Sequence, residues 1–491
     1  MASNVAEASL RPVLSPAYRL VFRLAIANRP GKFAEVARAI GERGCSLGAI
    51  DLVDATPTTH VRDVTVDCPD EATGWALAED LRRLDGVEVR AASDRTFLLH
   101  LGGKVEMRGR VSVRTRDDLS LVYTPGVARV CTAIAQDPER AWTLTMRANT
   151  VGIVSDGSAV LGLGDIGPAA ALPVMEGKAL LFSQLAGITG IPLVLDTKDP
   201  DEIVRTVEVL APLLGGVNLE DIAAPRCFAI ERELRERLEI PVMHDDQHGT
   251  AIVVLAGLTN AALVCRADLA ALRVVIVGAG AAGAATARLL RDAGVRDIVV
   301  CDRHGTLGQH RTDIDSEKER LVRDLALAPV ARDLPGAVEG ANVLIGLSGP
   351  RSVPVELLGT MARPRIVFAL ANPTPEVDPL EAAPLVDIIA TGRSDHPNQV
   401  NNVLAFPGVF RGLLDVRARG ITTAMEIAAA TALAGCVPAR LRSAEYILPS
   451  VFDGHVVPAV ARAVARTARA AGLARRVEGR RRSHDQGGTY R

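Results

Sequence analysis

The spacing of apolar and polar residues divides the chain into segments of different period. YRLVFRLAIA, a mostly apolar run, reads as a strand, and GKFAEVARAIGERG reads as an amphipathic helix stopped at Gly44. LGAIDLVDAT and VRDVTVDC read as strands, ATGWALAEDLRRL as a helix and VEVRAA as a last strand. The order βαββαβ over residues 18–96 predicts an antiparallel sheet with helices on one face. Residues 97–244 mix strands and helices without a nucleotide fingerprint. There GIVSDGSAVLGLGDIG reads as strand–turn–strand–turn, IPLVLDT as a buried strand and DPDEIVRTVEVLAPLLGG as a helix. Over 245–401, VVIVG, DIVVCD, NVLIGLS, RIVFALAN and DIIATG alternate with helical stretches, the pattern of a parallel sheet. Residues 402–475 read as helices, expected to pack on 97–244. Residues 1–17, rich in Ala, Ser and Pro, and the basic stretch 476–491 are expected to be disordered. The fold class is α/β: a small α+β domain, an α/β catalytic domain, a doubly wound nucleotide-binding domain and a helical C-terminal segment.

A length of 491 residues suggests about three domains. Aromatics make up only 3%, so the cores must be built from Ala, Val, Leu and Ile. The formal net charge of -2 gives no reason to expect nucleic acid or an anionic membrane as partner. The 7 cysteines are odd in number and lack a CxxC pair, which argues for reduced thiols and a cytoplasmic location. No basic stretch followed by an apolar run opens the chain, and apolar windows such as 248–264 carry polar breaks that suit buried helices.

The candidate chemistry lies in two carboxylate pairs ahead of a glycine turn. Glu220-Asp221 and Asp245-Asp246 are hard oxygen ligands suited to Mg²⁺ or Mn²⁺. Adjacent acids on a regular strand face opposite sides, so Glu220 and Asp221 can share one ion only where the backbone turns. One acid from 245–246 would complete the set; otherwise each pair is a cap or a solvated loop. His244 and His248 offer a lesser metal alternative at i and i+4. The turn Gly278-Ala279-Gly280-Ala281-Ala282-Gly283 matches GxGxxG between a strand and a helix, and Asp302 follows Gly278 by 24 residues, where a ribose-binding acid is expected. Asp302 favours NAD; Arg303 and His304 beside it would suit the 2′-phosphate of NADP.

Tyr123, in SLVYTPGVA, is either a general acid or a buried tyrosine. Lys178, in PVMEGKA, lies among apolar residues. Desolvation would lower its pKa and suit it to act as a base; the alternative is a lysine reaching out to water. Asn372, Asn401 and Asn402 sit in loops beyond strands, where amides meet a carboxamide or carboxylate, or else shape the turns.

Residues 18–96 resemble an ACT domain, a regulatory module, with the turn Asn28-Arg29-Pro30-Gly31 exposing amides at a helix start. The resemblance implies an amino-acid effector there, or a pairing module without ligand. The strings SLVYTPGVA, SDGSAVLGLGDIG, PVMEGKA, GGVNLEDIAAPRCF, HDDQHGTAIV, VGAGAAG, FALANPTPE, ATGRSDHPNQVNNVLAFPG and YILPSVFD, in that order over residues 104–470, resemble malic enzyme of the shorter bacterial type. That resemblance implies divalent-metal-dependent oxidative decarboxylation of L-malate to pyruvate and CO₂ with NAD or NADP, oxaloacetate decarboxylation by the same site, and a homodimer or higher homo-oligomer. It implies Lys178 as general base and Tyr123 as general acid. Glu220, Asp221 and Asp246 become metal ligands, with Asp245 beside the substrate and tuning Lys178. Residues 278–283 and Asp302 hold the cofactor, Asn372 meets nicotinamide or substrate, and Asn401 and Asn402 flank the substrate. One departure stands out: Ser158-Ala159-Val160 replaces the stretch in which longer members carry a malate-binding arginine. A metal-free hydroxy-acid dehydrogenase and a catalytically silent sensor are the rival readings.

Overall fold

Four strands, β1 (Arg19–Ala27), β2 (Ser46–Ala55), β3 (Thr59–Asp67) and β4 (Val87–Asp94), form an antiparallel sheet in the order β2-β3-β1-β4. Leu20, Phe22, Leu24 and Ile26 alternate along β1 onto one face, where Val36 and Ile40 of the helix Lys32–Glu42 and Leu77 and Leu81 of the helix Glu71–Arg83 bury them. Asp70 starts the second helix by accepting the Thr73 N–H. β2 is exposed along its whole length. This computed structural model describes residues 16–475 apart from Leu161, Pro329 and Ala331. The expected disorder of 1–15 and 476–491 therefore lies outside the described residues. Pro16 and Ala17, expected in the same disordered stretch, belong to a short 3₁₀ turn, Pro16–Tyr18, that leads into β1. The chain forms two compact units, Met1–Glu106 and Met107–Arg491.

The second unit contains two parallel sheets. β5 (Thr150–Ser155), β6 (Thr189–Val194), β7 (Gly216–Leu219) and β8 (Val242–His244) run in the order β6-β5-β7-β8. Two expectations fail here. The stretch 152–167 holds one strand, not two: after β5 the Asp156 carboxylate takes the N–H and O–H of Ser158, and only an isolated Val160–Gly164 bridge follows. Local side-chain bonds satisfy the backbone in place of a ladder. The strand from IPLVLDT is also not buried; it is the half-buried edge strand β6.

β9 (Arg273–Val277), β10 (Asp297–Asp302), β11 (Gly305–Thr306), β12 (Val343–Gly346), β13 (Ile366–Ala369) and β14 (Ile388–Thr391) form the other sheet, in the order β11-β10-β9-β12-β13-β14. All neighbours are parallel except the short β11. Val274 and Ile276 face one apolar core and Val275 and Val277 another, so both faces are covered, as a doubly wound sheet requires. One continuous core joins this sheet to the β5–β8 sheet through the helix Asp245–Val264. That helix is long and apolar enough to cross a membrane, yet 72% of its apolar window is buried inside the protein. The helix Phe406–Asp415, the first long one of the C-terminal segment, places Phe406 and Phe410 edge-on to Phe182 of the helix Pro168–Ala186.

A cluster of charges anchors the start of the helix Asp245–Val264. Glu231 accepts the His244 N–H at 2.9 Å and meets His248 Nε2 at 3.0 Å; His248 Nδ1 meets Glu426 at 3.0 Å, and Arg235 stands 2.9 Å from Glu231. Burial pulls the His248 pKa down, but Glu231 and Glu426 outweigh it and push it up to about 9. A histidine raised in this way keeps its proton where the unfolded chain has lost it. Its contribution is full below about 6.5 and is lost as pH rises through about 9. His248→Gln should therefore cost roughly 3 kcal/mol at pH 6, since it strips buried carboxylates of their partner. Urea midpoints should show wild type losing more stability than the variant between pH 6.5 and 9; parallel pH profiles would contradict the assignment. At the glycine turn, a Cβ on Gly283 would stand 1.8 Å from the Gly278 carbonyl oxygen. Gly283→Val should push its helix off β9, with a stability loss of roughly 1–3 kcal/mol and loss of dinucleotide binding by fluorescence titration. A variant with native midpoint and binding would show that the contact yields freely.

Candidate active site

The site is built where parallel strands end. Leu219 at the end of β7 pairs with His244 at the end of β8, so the residues that follow, Glu220-Asp221 and Asp245-Asp246, emerge side by side. Asp221 adopts φ 54°, the left-handed region that a non-glycine residue seldom occupies. This turn swings the neighbouring acids onto one side, the condition that two adjacent residues had to meet. Its N–H donates to Asp246 Oδ2 at 2.8 Å, and its carbonyl accepts the Ala159 N–H at 2.9 Å. Ser158 Oγ braces the same turn by accepting the Ala223 N–H at 2.9 Å. Carboxylate oxygens of Glu220, Asp221 and Asp246 lie within 4.8 Å of one another.

Lys178, in the middle of the helix Pro168–Ala186, is buried against this group. Its Nζ donates to both Glu220 oxygens at 2.6 Å and to Asp245 Oδ2 at 2.5 Å, and stands 4.5 Å from the centre of the Phe406 ring. The expected fall in its pKa does not occur. Burial does pull the ammonium down, but Asp245 and Glu220 more than offset this and hold it above the ordinary lysine range. The acids are strained the other way. Burial first, then mutual repulsion, pushes Asp245 and Asp246 up to about 6 and raises Glu220, in spite of Lys178. Four carboxylates near one ammonium, three buried and Asp246 partly exposed, are short of positive charge. The donor set, all hard oxygen, suits a divalent cation such as Mg²⁺ or Mn²⁺ held by Glu220, Asp221 and Asp246. His244 and His248 do not form the alternative ion site, because both ring nitrogens of His248 are engaged by Glu231 and Glu426.

The acids open into a cavity of about 620 Å³ lined by Asp221, Asp246, Asn372, Asn402 and, from the glycine turn, Ala281 and Ala282. Asn402 Nδ2 donates to Asp245 Oδ2 at 2.6 Å, which fixes its amide beside the acids. Asn401 does not line this cavity; its Oδ1 accepts the Val403 N–H at 3.0 Å and caps a turn. Tyr123 does not line it either. It ends the helix Arg116–Val122 and is 66% exposed. Nor does any arginine or lysine line the cavity among the described residues. Arg226, nearby in sequence to the acids, is taken by Asp156 at 2.7 Å.

The other side of the turn faces a cavity of about 910 Å³, lined by Gly278, Ala279, Gly280, Asp302, Arg303, His304, Lys318 and Ser348 among others. Gly278 has φ 118°, and a Cβ there would stand 2.2 Å from the Leu347 carbonyl oxygen. Gly280 has open space before it, room for the close approach of a phosphate to backbone amides. Asp302 ends β10 in this cavity, but its partners were not foreseen: Arg311 at 3.1 Å and Lys318 at 2.8 Å, besides the His304 N–H at 2.9 Å. Burial raises the Asp302 pKa, and these donors reverse that and lower it to about 2. Only a motif that reached 16 residues past Asp302, into the next helix, would have found Lys318.

Comparison with known proteins places the chain in one family. Residues 103–235 match the malic enzyme N-terminal domain and residues 247–469 the malic enzyme NAD-binding domain. The chain is 50% identical over 460 residues to the NAD-dependent malic enzyme of Geobacillus stearothermophilus, covering 94% of this chain and 96% of that protein. It is 49% identical over 375 residues to the bifunctional malic/malolactic enzyme of Bacillus subtilis, covering 76% and 92%. The crystal structure of the NAD-dependent malic enzyme of Thermotoga maritima matches with TM-score 0.73 at 44% identity, over 76% of this chain and 99% of that one. Strands β5–β7 with Glu220 and Asp221, and the β9–β14 sheet with its glycine turn, fall inside the two family matches, β8 and Asp245-Asp246 lie in the short gap between them, and the chain belongs to the malic enzyme family.

Proposed function

We propose that the protein converts L-malate to pyruvate and CO₂ with reduction of NAD or NADP, assisted by Mg²⁺ or Mn²⁺. The observation that carries this reading is Lys178 held by Glu220 and Asp245 behind Asp221 and Asp246, two acids that line a cavity whose wall includes the dinucleotide turn. Glu220, Asp221 and Asp246 hold the cation. When bound, the cation polarises the substrate oxygen at C2, and the nicotinamide accepts hydride from that carbon. Lys178 takes the C2 hydroxyl proton at Nζ. Glu220 belongs to both groups: turned toward a dication, it loosens its hold on the ammonium and leaves Lys178 less basic, closer to what a general base needs. Asn402, fixed by Asp245, and Asn372 offer amide donors to a substrate carboxylate or a carboxamide. Tyr123 is assigned the proton that C3 receives after CO₂ leaves on the family resemblance alone, since its hydroxyl lies outside the acid-lined cavity of its own chain. Oxaloacetate supplied from solution would lose CO₂ at the same groups.

Residues 97–244 and 245–401 divide this work between acids and dinucleotide, with 402–475 as the packing layer. Asp302, at the end of β10, favours NAD by accepting from the ribose hydroxyls, in keeping with the NAD dependence named for the Geobacillus relative. Residues 18–96 act as an ACT-like regulatory domain that takes an amino acid at Asn28–Gly31. In support, Gly31 has φ 82° and opens the helix Lys32–Glu42 without a side-chain cap, while Asn28 is tied to the Pro57 carbonyl at 3.1 Å.

With L-malate and Mn²⁺, reduced cofactor and pyruvate should form in equal amounts, faster with NAD than NADP, and stop on chelation. Lys178→Ala should lower turnover by at least a hundredfold with an unchanged circular dichroism spectrum. Reduced cofactor without pyruvate would point to a plain dehydrogenase, and unchanged turnover in the variant would remove Lys178 as base. For the regulatory unit, one of the twenty amino acids should raise the melting temperature of the full-length protein, and Asn28→Ala should abolish that shift. A flat screen would leave residues 18–96 without an amino-acid ligand.

A further inference from the structure

We propose that Glu376 is a positioning residue for hydride transfer: its buried carboxylate holds the loops after β12 and β13 at one spacing, and so sets the dinucleotide cavity against the acid-lined cavity. The inference rests on the reading of the site as one that oxidises malate. Glu376 ends the string FALANPTPE, in which only Asn372 has been given a role. Its side chain is fully buried. Buried carboxylates ordinarily have a cation beside them. Among the described residues Glu376 has none, and its donors are backbone amides. Oε1 accepts the Ser348 N–H at 3.0 Å and Oε2 the Ala371 N–H at 2.9 Å. Burial pushes its pKa up from the ordinary range against the pull of these amides.

The two amides belong to different loops, since Ser348 follows β12 and Ala371 follows β13. Backbone bonds tie the same loops further: Arg351 N–H donates to the Pro375 carbonyl and Val353 N–H to the Glu376 carbonyl, each at 3.0 Å. The fold makes room for the carboxyl. At the end of β12 a Cβ on Gly346 would stand 2.6 Å from Glu376 Cδ. The residue type follows from the geometry as well. Each loop needs an acceptor, and a carboxylate offers one at both oxygens, whereas a glutamine amide accepts at one end and donates at the other.

Each loop abuts one half of the site. A Cβ on Gly278, in the glycine turn, would stand 2.2 Å from the Leu347 carbonyl oxygen, so the loop after β12 lies against that turn. A Cβ on Gly162 would stand 2.6 Å from the Asn372 carbonyl oxygen, so the loop after β13 lies against the segment that follows β5. Ser348 lines both cavities, Asn372 lines the one with the acids, and Glu376 lines neither. Glu376 therefore acts through the loops. Sliding one loop past the other moves the dinucleotide cavity against the acids, and reacting groups tolerate little of such misplacement.

Glu376→Gln in the full-length protein tests this, because one of the two N–H groups then loses its acceptor. Turnover with malate should fall by at least about tenfold, while the dissociation constant of NADH, read by fluorescence titration, changes by less than about threefold, since the glycine turn and Asp302 are untouched. The fluorescence lifetime of bound NADH should shorten, because the nicotinamide ring is held less firmly. A smaller loss of turnover, a larger change in affinity, or an unchanged lifetime overturns the role; a residue that only supports the fold would lower the melting temperature and leave turnover per folded chain as it was. A second measurement needs no variant. In the wild-type chain the Ser348 and Ala371 amides should exchange hydrogen at least about a hundredfold more slowly than in an unstructured peptide, and weaker protection overturns the clamp. A wild type without malate turnover would sink the proposed reaction, whereas the lifetime and exchange measurements decide the clamp by themselves.

Discussion

One buried ammonium among four carboxylates governs this structure. Lys178 reaches Glu220 and Asp245 at 2.5–2.6 Å from a helix, while those acids come from the ends of two neighbouring strands. Leaving a buried charge unpaired costs about 3–5 kcal/mol, so the helix and both strand ends are tied to one geometry. The balance is deliberately incomplete in sign. One positive charge cannot neutralise four negative ones, and the raised pKa values of Asp245, Asp246 and Glu220 record the deficit. A set of oxygen donors held together at this cost is poised for a further cation.

The rest of the fold serves that convergence. Parallel pairing of β7 and β8 places successive acids side by side, and the left-handed backbone at Asp221 turns its carboxylate to the same side as Glu220. Strain of this kind persists only where neighbours over-determine it. Here those neighbours are Asp246, Ala159 and Ser158, whose hydrogen bonds grip the turn from two directions. The SDGS stretch after β5 thus supports the acids rather than forming a strand.

What was legible in the sequence follows from which forces are local. The strands of the dinucleotide sheet are covered on both faces and so read as apolar runs, and the glycine turn announces itself because Gly278 and Gly283 each sit where a Cβ would collide with backbone. The acid cluster was legible as composition, two pairs in apolar surroundings. The proton affinity of Lys178 was misread because its sign is set by residues 42 and 67 positions away. Asp302 was legible as the acid after β10, but not its neutralisation by Arg311 and Lys318, which depends on how the following loop and helix fold back. Asn401 and Asn402 are adjacent and alike in sequence; only the backbone decides that one caps a turn and the other faces the acids.

The glycine turn couples the two halves of the chemistry. Gly278, Ala279 and Gly280 face one cavity, Ala281 and Ala282 the other, and Ala224 and Ser348 line both. The same first turn of helix therefore walls both cavities. Its glycines are constrained differently: a Cβ on Gly278 would stand 2.2 Å from the Leu347 carbonyl oxygen, so the fold itself demands glycine there, whereas Gly280 faces open space, where backbone amides at a helix start can be approached closely by an anion. The fold thus fixes the turn at one glycine and leaves the other open to a ligand.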